Sequence, residues 1–336
     1  MSQNFINFAD NECKGSSRLY EQLSLHIAKT PCLLNLCRNI SRNQPVPNLF
    51  FAAVHYLLLK GYDDRLSEMY HEKDIDFNSL FDAFEEFCLE HQQALIQVMN
   101  QKRVQTNEVR RTAYLYPLFS MISQKNDAPI SLIEIGTSAG LNLCADQYRY
   151  VYEGVEGTFG NSTSELEIHS KIIGEMTHDL NHIPDIRDRI GIDLNVMDLN
   201  TDDDYLWLKA LIWPEHHQRR EMLKAAKEIV TAENVELIEG DAVSILDSTV
   251  QNINTENTLC IFHTHVANQM SEDQKEELLK AVDLIADGRT VYHIYNNIFD
   301  KKLRMDEYTG GRKNSYLIGE TDGHGRWFEW KIQQFI

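Results

Sequence analysis

Through the first third of the chain, apolar residues recur at three- and four-residue spacing. "SSRLYEQLSLHIAK" (16–29), "NLFFAAVHYLLLKG" (48–61) and "FNSLFDAFEEFCLEHQQALIQVMNQK" (77–102) each place them on one face of a helix. Gly61 suits a helix C-cap and "NQPVPN" (43–48) reads as a linker. No strand pattern and no chemical motif interrupts this run. Residues 1–125 are therefore expected to form a helical N-terminal cap domain.

From Ile130 the pattern changes to short apolar runs alternating with amphipathic ones. "ISLIEIG", "RIGIDLNV", "VELIEGD", "TLCIFHTHV" and "TVYHIYNNI" predict five strands. Between them, "AGLNLCADQYRYVY", "YLWLKALIW", "PEHHQRREMLKAAKEIV", "AVSILDSTV" and "SEDQKEELLKAVDLIADG" predict helices. Pro214 fits a first helical position, Ser271 and Gln274 a capping box, and Gly288 a C-cap. "NSYLIGETDGHGRWFEWKIQQF" reads as a hairpin turning at Asp322–Gly323. Residues of about 150–187 exceed an ordinary connection and read as an insertion with extended segments. Alternating strands and helices imply a mostly parallel, Rossmann-like sheet over 126–336, with an antiparallel C-terminal hairpin at its edge.

Composition adds exclusions. Across 336 residues the chain is 43% hydrophobic and 25% charged, near the globular norm, with a formal net charge of −19. That balance argues against nucleic-acid backbone and anionic membrane surfaces as partners. The longest apolar runs are too short to span a bilayer. The N-terminus lacks the charged and apolar regions of a signal peptide. Six scattered cysteines with no C-x-x-C pair fit reduced thiols, so a cytoplasmic protein is expected.

Candidate chemistry sits at the strand ends, where open α/β sheets bind ligands. Glu134-Ile135-Gly136-Thr137-Ser138-Ala139-Gly140 is a turn of small residues that lets backbone approach a ligand. It is closer to the E-x-G-x-G-x-G loop of class I S-adenosylmethionine-dependent methyltransferases than to a dinucleotide loop, with Ser138 in place of the middle glycine. Asp193 at the next strand end can accept both ribose hydroxyls, or simply cap the following turn. Asp241 can take the exocyclic amine of adenine, or serve as an N-cap. These features fall in methyltransferase order at three successive strand ends. At the fourth, His263 and His265 in "FHTHVANQM" alternate with apolar neighbours, so both are expected on one side of the strand. Either histidine can serve as general base; a structural pair or two metal ligands are the other readings. Asn268 and Gln269 can orient an acceptor, and Trp213 can line its pocket. His178 and His182, spaced i,i+4, lack the glutamate of a metalloprotease motif, and no metal site is expected.

Taken together, "TNEVRRTAYLYPLF", "LIEIGTSAGLNLCADQYRY", "RIGIDLNVMDL", "WLKALIWPEHHQRREML", "GDAVSIL" and "FHTHVANQM" resemble a bacterial domain-of-unknown-function family with a predicted class I methyltransferase-like fold. The resemblance covers about residues 106–270 and implies that fold, without a substrate. The resulting expectation is an S-adenosylmethionine-dependent methyltransferase acting on a small molecule. Glu134, Gly136, Thr137, Ser138, Gly140, Asp193 and Asp241 would hold the cofactor, and no D/N-P-P-Y/F box points to base or glutamine methylation. A non-catalytic nucleotide- or metabolite-binding protein of the same fold is the alternative, and a metal-dependent hydrolase a third reading.

Overall fold

A computed structural model describes residues 1–41, 43–72, 74 and 76–332. The chain opens with α1 (Ser2–Phe8), α2 (Arg18–Ile27), α3 (Pro31–Leu36), α4 (Val46–Leu59), α5 (Asp64–Met69), α6 (Phe77–Glu90) and α7 (Gln92–Gln101). The long α8 (Thr112–Asn126) leads into β1 (Ile130–Ile135). Then come β2 (Arg149–Glu153), β3 (Phe159–Gly160), β4 (Glu167–Gly174) and β5 (Ile186–Asp193). Helices α9 (Asp202–Leu211) and α10 (His217–Ala232) precede β6 (Val235–Glu239). The remainder runs α11 (Ala242–Val250), β7 (Thr258–His263), α12 (Glu272–Ile285), β8 (Val291–Tyr295), β9 (Leu303–Thr309), β10 (Arg312–Gly319) and β11 (Trp327–Trp330). Among the described residues no helix is long and apolar enough to cross a membrane.

The chain divides into two compact units, Met1–Thr106 with Asn200–Glu221, and Asn107–Leu199 with Met222–Ile336. The first is helical. Nearly every side chain of α4 is buried, so it forms the unit's centre, its Phe50 and Phe51 packed against Phe5, Tyr20 and Phe84. Tyr20 and Phe51 stack at 4.2 Å. Helix starts follow local chemistry: Ser17, Asp63 and Asp76 each accept a backbone N–H of the first turn. Gly61, at φ +79, closes α4 in the left-handed conformation that glycine adopts freely. α4 starts at Val46, within the stretch read as a linker, with Pro47 in its first turn. The segment 200–221 joins this unit through charge. Asp203 of α9 accepts from Lys60 (2.9 Å), Lys102 (2.6 Å) and the Tyr56 hydroxyl, while Glu215 accepts the first N–H groups of α2 from Arg18 and Leu19. α10 begins at His217, so Pro214 lies in the preceding turn and not at a first helical position.

The second unit is mixed α/β, built on a mostly parallel seven-stranded sheet in the order β10-β9-β8-β7-β1-β5-β6. β8, β7, β1, β5 and β6 are parallel; β9 and β10 run antiparallel to their neighbours. Register brings Ile133 beside Ile190 and Ile261, and Ile135 beside Ile192. These residues share the sheet face that α11 and α12 cover with Leu246, Leu278 and Val282. On the opposite face the Phe119 ring of α8 meets Phe262 of β7 edge-on at 5.2 Å. α12 carries the expected capping box of Ser271 and Gln274. Its cap is Ala286, and Gly288 (φ +102) lies two residues beyond it.

Two predicted elements differ. The antiparallel edge is the β9–β10 hairpin, which turns at Gly310–Gly311 (φ +56 and +73). Paired positive φ values make the turn that matches strand twist, and only glycine adopts them without strain. Asp322–Gly323 does turn the chain, through Asp322 N to Trp327 O at 2.9 Å. The strand it leads into, β11, lies parallel to β4 in a second sheet of order β11-β4-β2-β3. Residues 333–335 of that stretch lie outside the described residues. The second sheet also accounts for 150–187: the segment supplies β3, β4 and most of β2. In addition, the predicted helix 139–152 is a kinked 3₁₀ stretch, Leu141–Gln147, followed by β2. The hydroxyls of Tyr148 and Tyr150 take the carbonyls of Leu141 and Ala145, which an α-helix needs for its own ladder. The alternating aromatics then favour a strand.

Candidate functional site

From β1 the chain moves to β5 and β6 on one side and later to β7 and β8 on the other. The order therefore reverses between β1 and β7, and their carboxyl ends mark the switch point, the crevice position at which such sheets hold ligands. The β1 turn occupies this position. Its geometry rests on small residues, because a Cβ on Gly136 (φ +74) would sit 2.6 Å from Val266 Cγ2, just past β7. One on Gly191 of β5 would sit 2.5 Å from Thr137 Cγ2. A Cβ on Gly140, also left-handed at φ +74, would sit 2.9 Å from Val235 Cγ1 of β6, so its role is close packing.

Glu134 is buried inside the turn. Its two oxygens accept from the Thr137 hydroxyl and the Asn142 amide, both at 2.7 Å. Burial pushes its carboxyl up to about 7, against those two hydrogen bonds. Ser138 has φ +51, unusual for a side chain with a Cβ. Asn107 and Asp193 hold it there. Asn107 donates to Ser138 Oγ at 2.8 Å and accepts from Ala139 N at 3.3 Å, while Asp193 Oδ2 accepts from Ser138 N at 2.8 Å. Asp193 Oδ1 accepts from Asn195 N at 2.9 Å. Asp193 thus caps its own turn as well as the β1 turn. Burial raises its pKa, while these backbone N–H bonds lower it. Each of its oxygens keeps a second lone pair. Asp241 is exposed at the start of α11 and accepts from the Ser244 hydroxyl at 2.6 Å.

The two histidines lie in different settings. β7 ends at His263, which is 0% exposed, with neither ring nitrogen hydrogen-bonded. Its ring stands 5.3 Å from that of His293 on β8, whose nitrogens are equally without partners. His265 lies beyond the strand at φ +64, so the strict alternation expected of the pair stops at His263. Its N–H donates to Asn296 Oδ1 at 2.7 Å and its ring is half-buried, Nε2 without a partner. Burial, with the nearby Arg111, lowers its pKa to about 4, so it is neutral at pH 7. Asn268 and Gln269 are exposed on the short 3₁₀ turn after β7. Trp213 belongs to the helical unit, where it packs on Phe8 and Tyr20 and stacks with His216 at 5.2 Å.

Residues outside the expected set complete the crevice. Asn107 and Arg111 come from the segment just ahead of α8 and Tyr114 from its first turn, and the Asp322–Arg326 turn lies beside them: Arg111 Nε donates to Gly323 O at 3.0 Å, and His324 Nδ1 is 3.1 Å from Glu108 Oε2. The signal in the sequence was the polar run "NEVRR" directly ahead of a helix apolar on every side. Among the described residues no group of three His, Cys, Asp or Glu is placed to hold a metal ion. His182, of the i,i+4 pair, is instead 3.0 Å from the Ser123 hydroxyl.

Compared with known proteins, residues 2–330 match the model of a family described as "Uncharacterized protein conserved in bacteria (DUF2332)". No curated protein and no solved structure matches the chain.

Proposed function

The chain belongs to that bacterial family over nearly its whole length, and from this premise we propose that it binds S-adenosylmethionine and methylates a small molecule. One observation carries the reading: the strand order β6-β5-β1-β7-β8, with a small-residue turn after β1 and a carboxylate after each of β5 and β6. That order and placement are those of class I methyltransferases. Asp193 fits a ribose, because each carboxylate oxygen retains an acceptor site after its one backbone bond. The exposed Asp241 fits an adenine amine. Gly136, Thr137, Ser138 and Gly140 keep the backbone close to the crevice. Glu134 supports the turn from beneath, through Thr137 and Asn142.

When bound, the cofactor supplies an electrophilic methyl group. The protein's part is then chiefly positioning. His265 is the better general base of the two histidines: it is neutral, half-buried and beside the crevice. His263 is enclosed in the sheet face and supports β8 instead. A non-catalytic ligand-binding role is the second reading, favoured by the tight clamp of Asn107 and Asp193 on Ser138. Titration calorimetry separates these. S-Adenosylmethionine is expected to bind, and Asp193→Asn to weaken it about 10- to 100-fold, the range for a hydrogen bond to a charged group. Absence of binding to the intact chain removes the methyltransferase reading. Binding with no transfer to any tested acceptor, unaltered by His265→Ala, leaves the second.

A further inference from the structure

Arg111 is 7% exposed, yet no carboxylate lies within ion-pair distance of it among the described residues. Its Nε is used by Gly323 O at 3.0 Å, which leaves the two terminal amino groups. A buried guanidinium without a counter-charge is rare, because desolvation of a cation is costly unless an anion compensates it. The nearby carboxylates are committed elsewhere. Glu134 is filled by Thr137 and Asn142, Asp322 pairs with Arg326 at 2.8 Å, and Glu108 faces His324.

Further unused polar atoms surround the same point. Tyr114, one turn along from Arg111, is fully buried; its hydroxyl is turned toward Thr264 but closes no hydrogen bond of good geometry. His265, whose ring lies against the Gly323 turn, has no partner for Nε2. Asn296, which holds the His265 backbone, leaves its own amide nitrogen unpaired. Buried polar atoms are almost always hydrogen-bonded, so several unpaired ones converging beside one cation point to a ligand.

We infer that Arg111, Tyr114 and His265 form a binding corner for a carboxylate-bearing small molecule. The guanidinium offers its terminal amino pair as a two-donor fork, which matches the two oxygens of a carboxylate. The Tyr114 hydroxyl and His265, as its Nε2–H tautomer, supply the remaining donors. Carboxylate binding itself stands independently of methyl transfer, while the assignment of its source rests on that reading. The carboxylate is that of the methionine part of a bound cofactor or that of an acceptor.

Calorimetric titration of the full chain with acetate and malonate, against sulfate at equal ionic strength, tests it. Both carboxylates are expected to bind better than sulfate, and Arg111→Gln to weaken them at least tenfold. Tyr114→Phe removes only a hydroxyl that has no partner. It is expected to melt with the wild type while weakening carboxylate binding several-fold, and it carries the test should Arg111→Gln fail to fold. The source is read from S-adenosylmethionine and 5′-methylthioadenosine, which lacks the amino-acid part. Selective loss of the former in Arg111→Gln assigns the corner to the cofactor; equal retention of both assigns it to the acceptor. No carboxylate binding, affinity unchanged in both variants, or a preference for sulfate overturns the inference.

Discussion

Between pH 7.5 and pH 5.5 the protein is expected to lose several kcal/mol of folding stability, seen as a drop in melting temperature by circular dichroism. Four histidines carry most of the effect, and His71 and His178, also lowered by burial, act in the same sense. Burial lowers His55 to about 3, His265 to about 4 and His293 to about 3, and takes His263 well below its ordinary 6.5. In each case the folded pKa lies below the unfolded one. Between those values the unfolded chain binds the extra proton, so stability is complete above 6.5 and falls as pH falls through that value. One pH unit below 6.5, each group contributes about 1.4 kcal/mol of loss.

Glu134 acts in the opposite sense. Its folded pKa, about 7, stands above the ordinary 4.5, so the folded protein takes up a proton as the medium acidifies from neutrality. It regains about 1.4 kcal/mol per unit below 7, or about 2 kcal/mol by pH 5.5. For the α/β unit, three histidines against one glutamate leave a net loss of about 2 kcal/mol at pH 5.5. At about 2–4 °C per kcal/mol, the melting temperature of that unit drops by roughly 4–8 °C. In the helical unit His55 contributes a loss of about 1.4 kcal/mol, and the lowered His71 adds in the same sense. Replacing His263 by Phe removes one proton from the difference and flattens the profile. A melting temperature constant across this range would show that these rings are not buried as neutral bases.

Legibility from the sequence followed the range of the forces. Helices with a clear period, such as α11, or with period and cap together, such as α12, were readable because neighbours in sequence decide them. β1, β7 and β8 were readable because burial on both faces makes each one a largely apolar run, and β5 and β6 through the apolar residues of their second halves. β9, "LRMDEYT", was not: Asp306 and Glu307 interrupt its pattern, and they are tolerated because Lys313 of β10 (3.1 Å) and Lys125 of α8 (2.6 Å) neutralise them. The Gly310–Gly311 turn beside it was a legible signal passed over. In the candidate site, the β1 turn and Asp193 could be placed from strand ends alone. Arg111, Tyr114 and Asn107 could not, because they lie ahead of β1, outside the strand ends, and carry no motif of their own. His265 left its expected line because a left-handed residue ends the strand, which alternation cannot foresee.

The stretch Leu141–Gln147, read as helix and found as kinked 3₁₀ structure, supplies the other large effect. Asp146→Ala is expected to destabilise the α/β unit by about 3–5 kcal/mol, the usual penalty for stripping one partner from a buried ion pair. Arg189 of β5 and Asp146 are each 6% exposed at the side chain, and the guanidinium grips both carboxylate oxygens, at 2.6 and 2.7 Å. Arg189 also donates to Leu143 O at 2.6 Å, so the pair ties the 3₁₀ stretch, and with it the end of the β1 turn, to the neighbouring strand. Once Asp146 is gone, the buried cation keeps only that carbonyl and Glu233, 3.5 Å from its Nε. Glu233 moves the expected value toward the lower end, or about 6–12 °C in melting temperature. The double replacement Arg189→Met/Asp146→Leu removes both charges together and is expected to recover most of the loss, since an apolar pair of similar volume escapes the desolvation cost. If the double variant were as unstable as Asp146→Ala, the packing of this corner, and not its charge pairing, would be what holds the turn against β5.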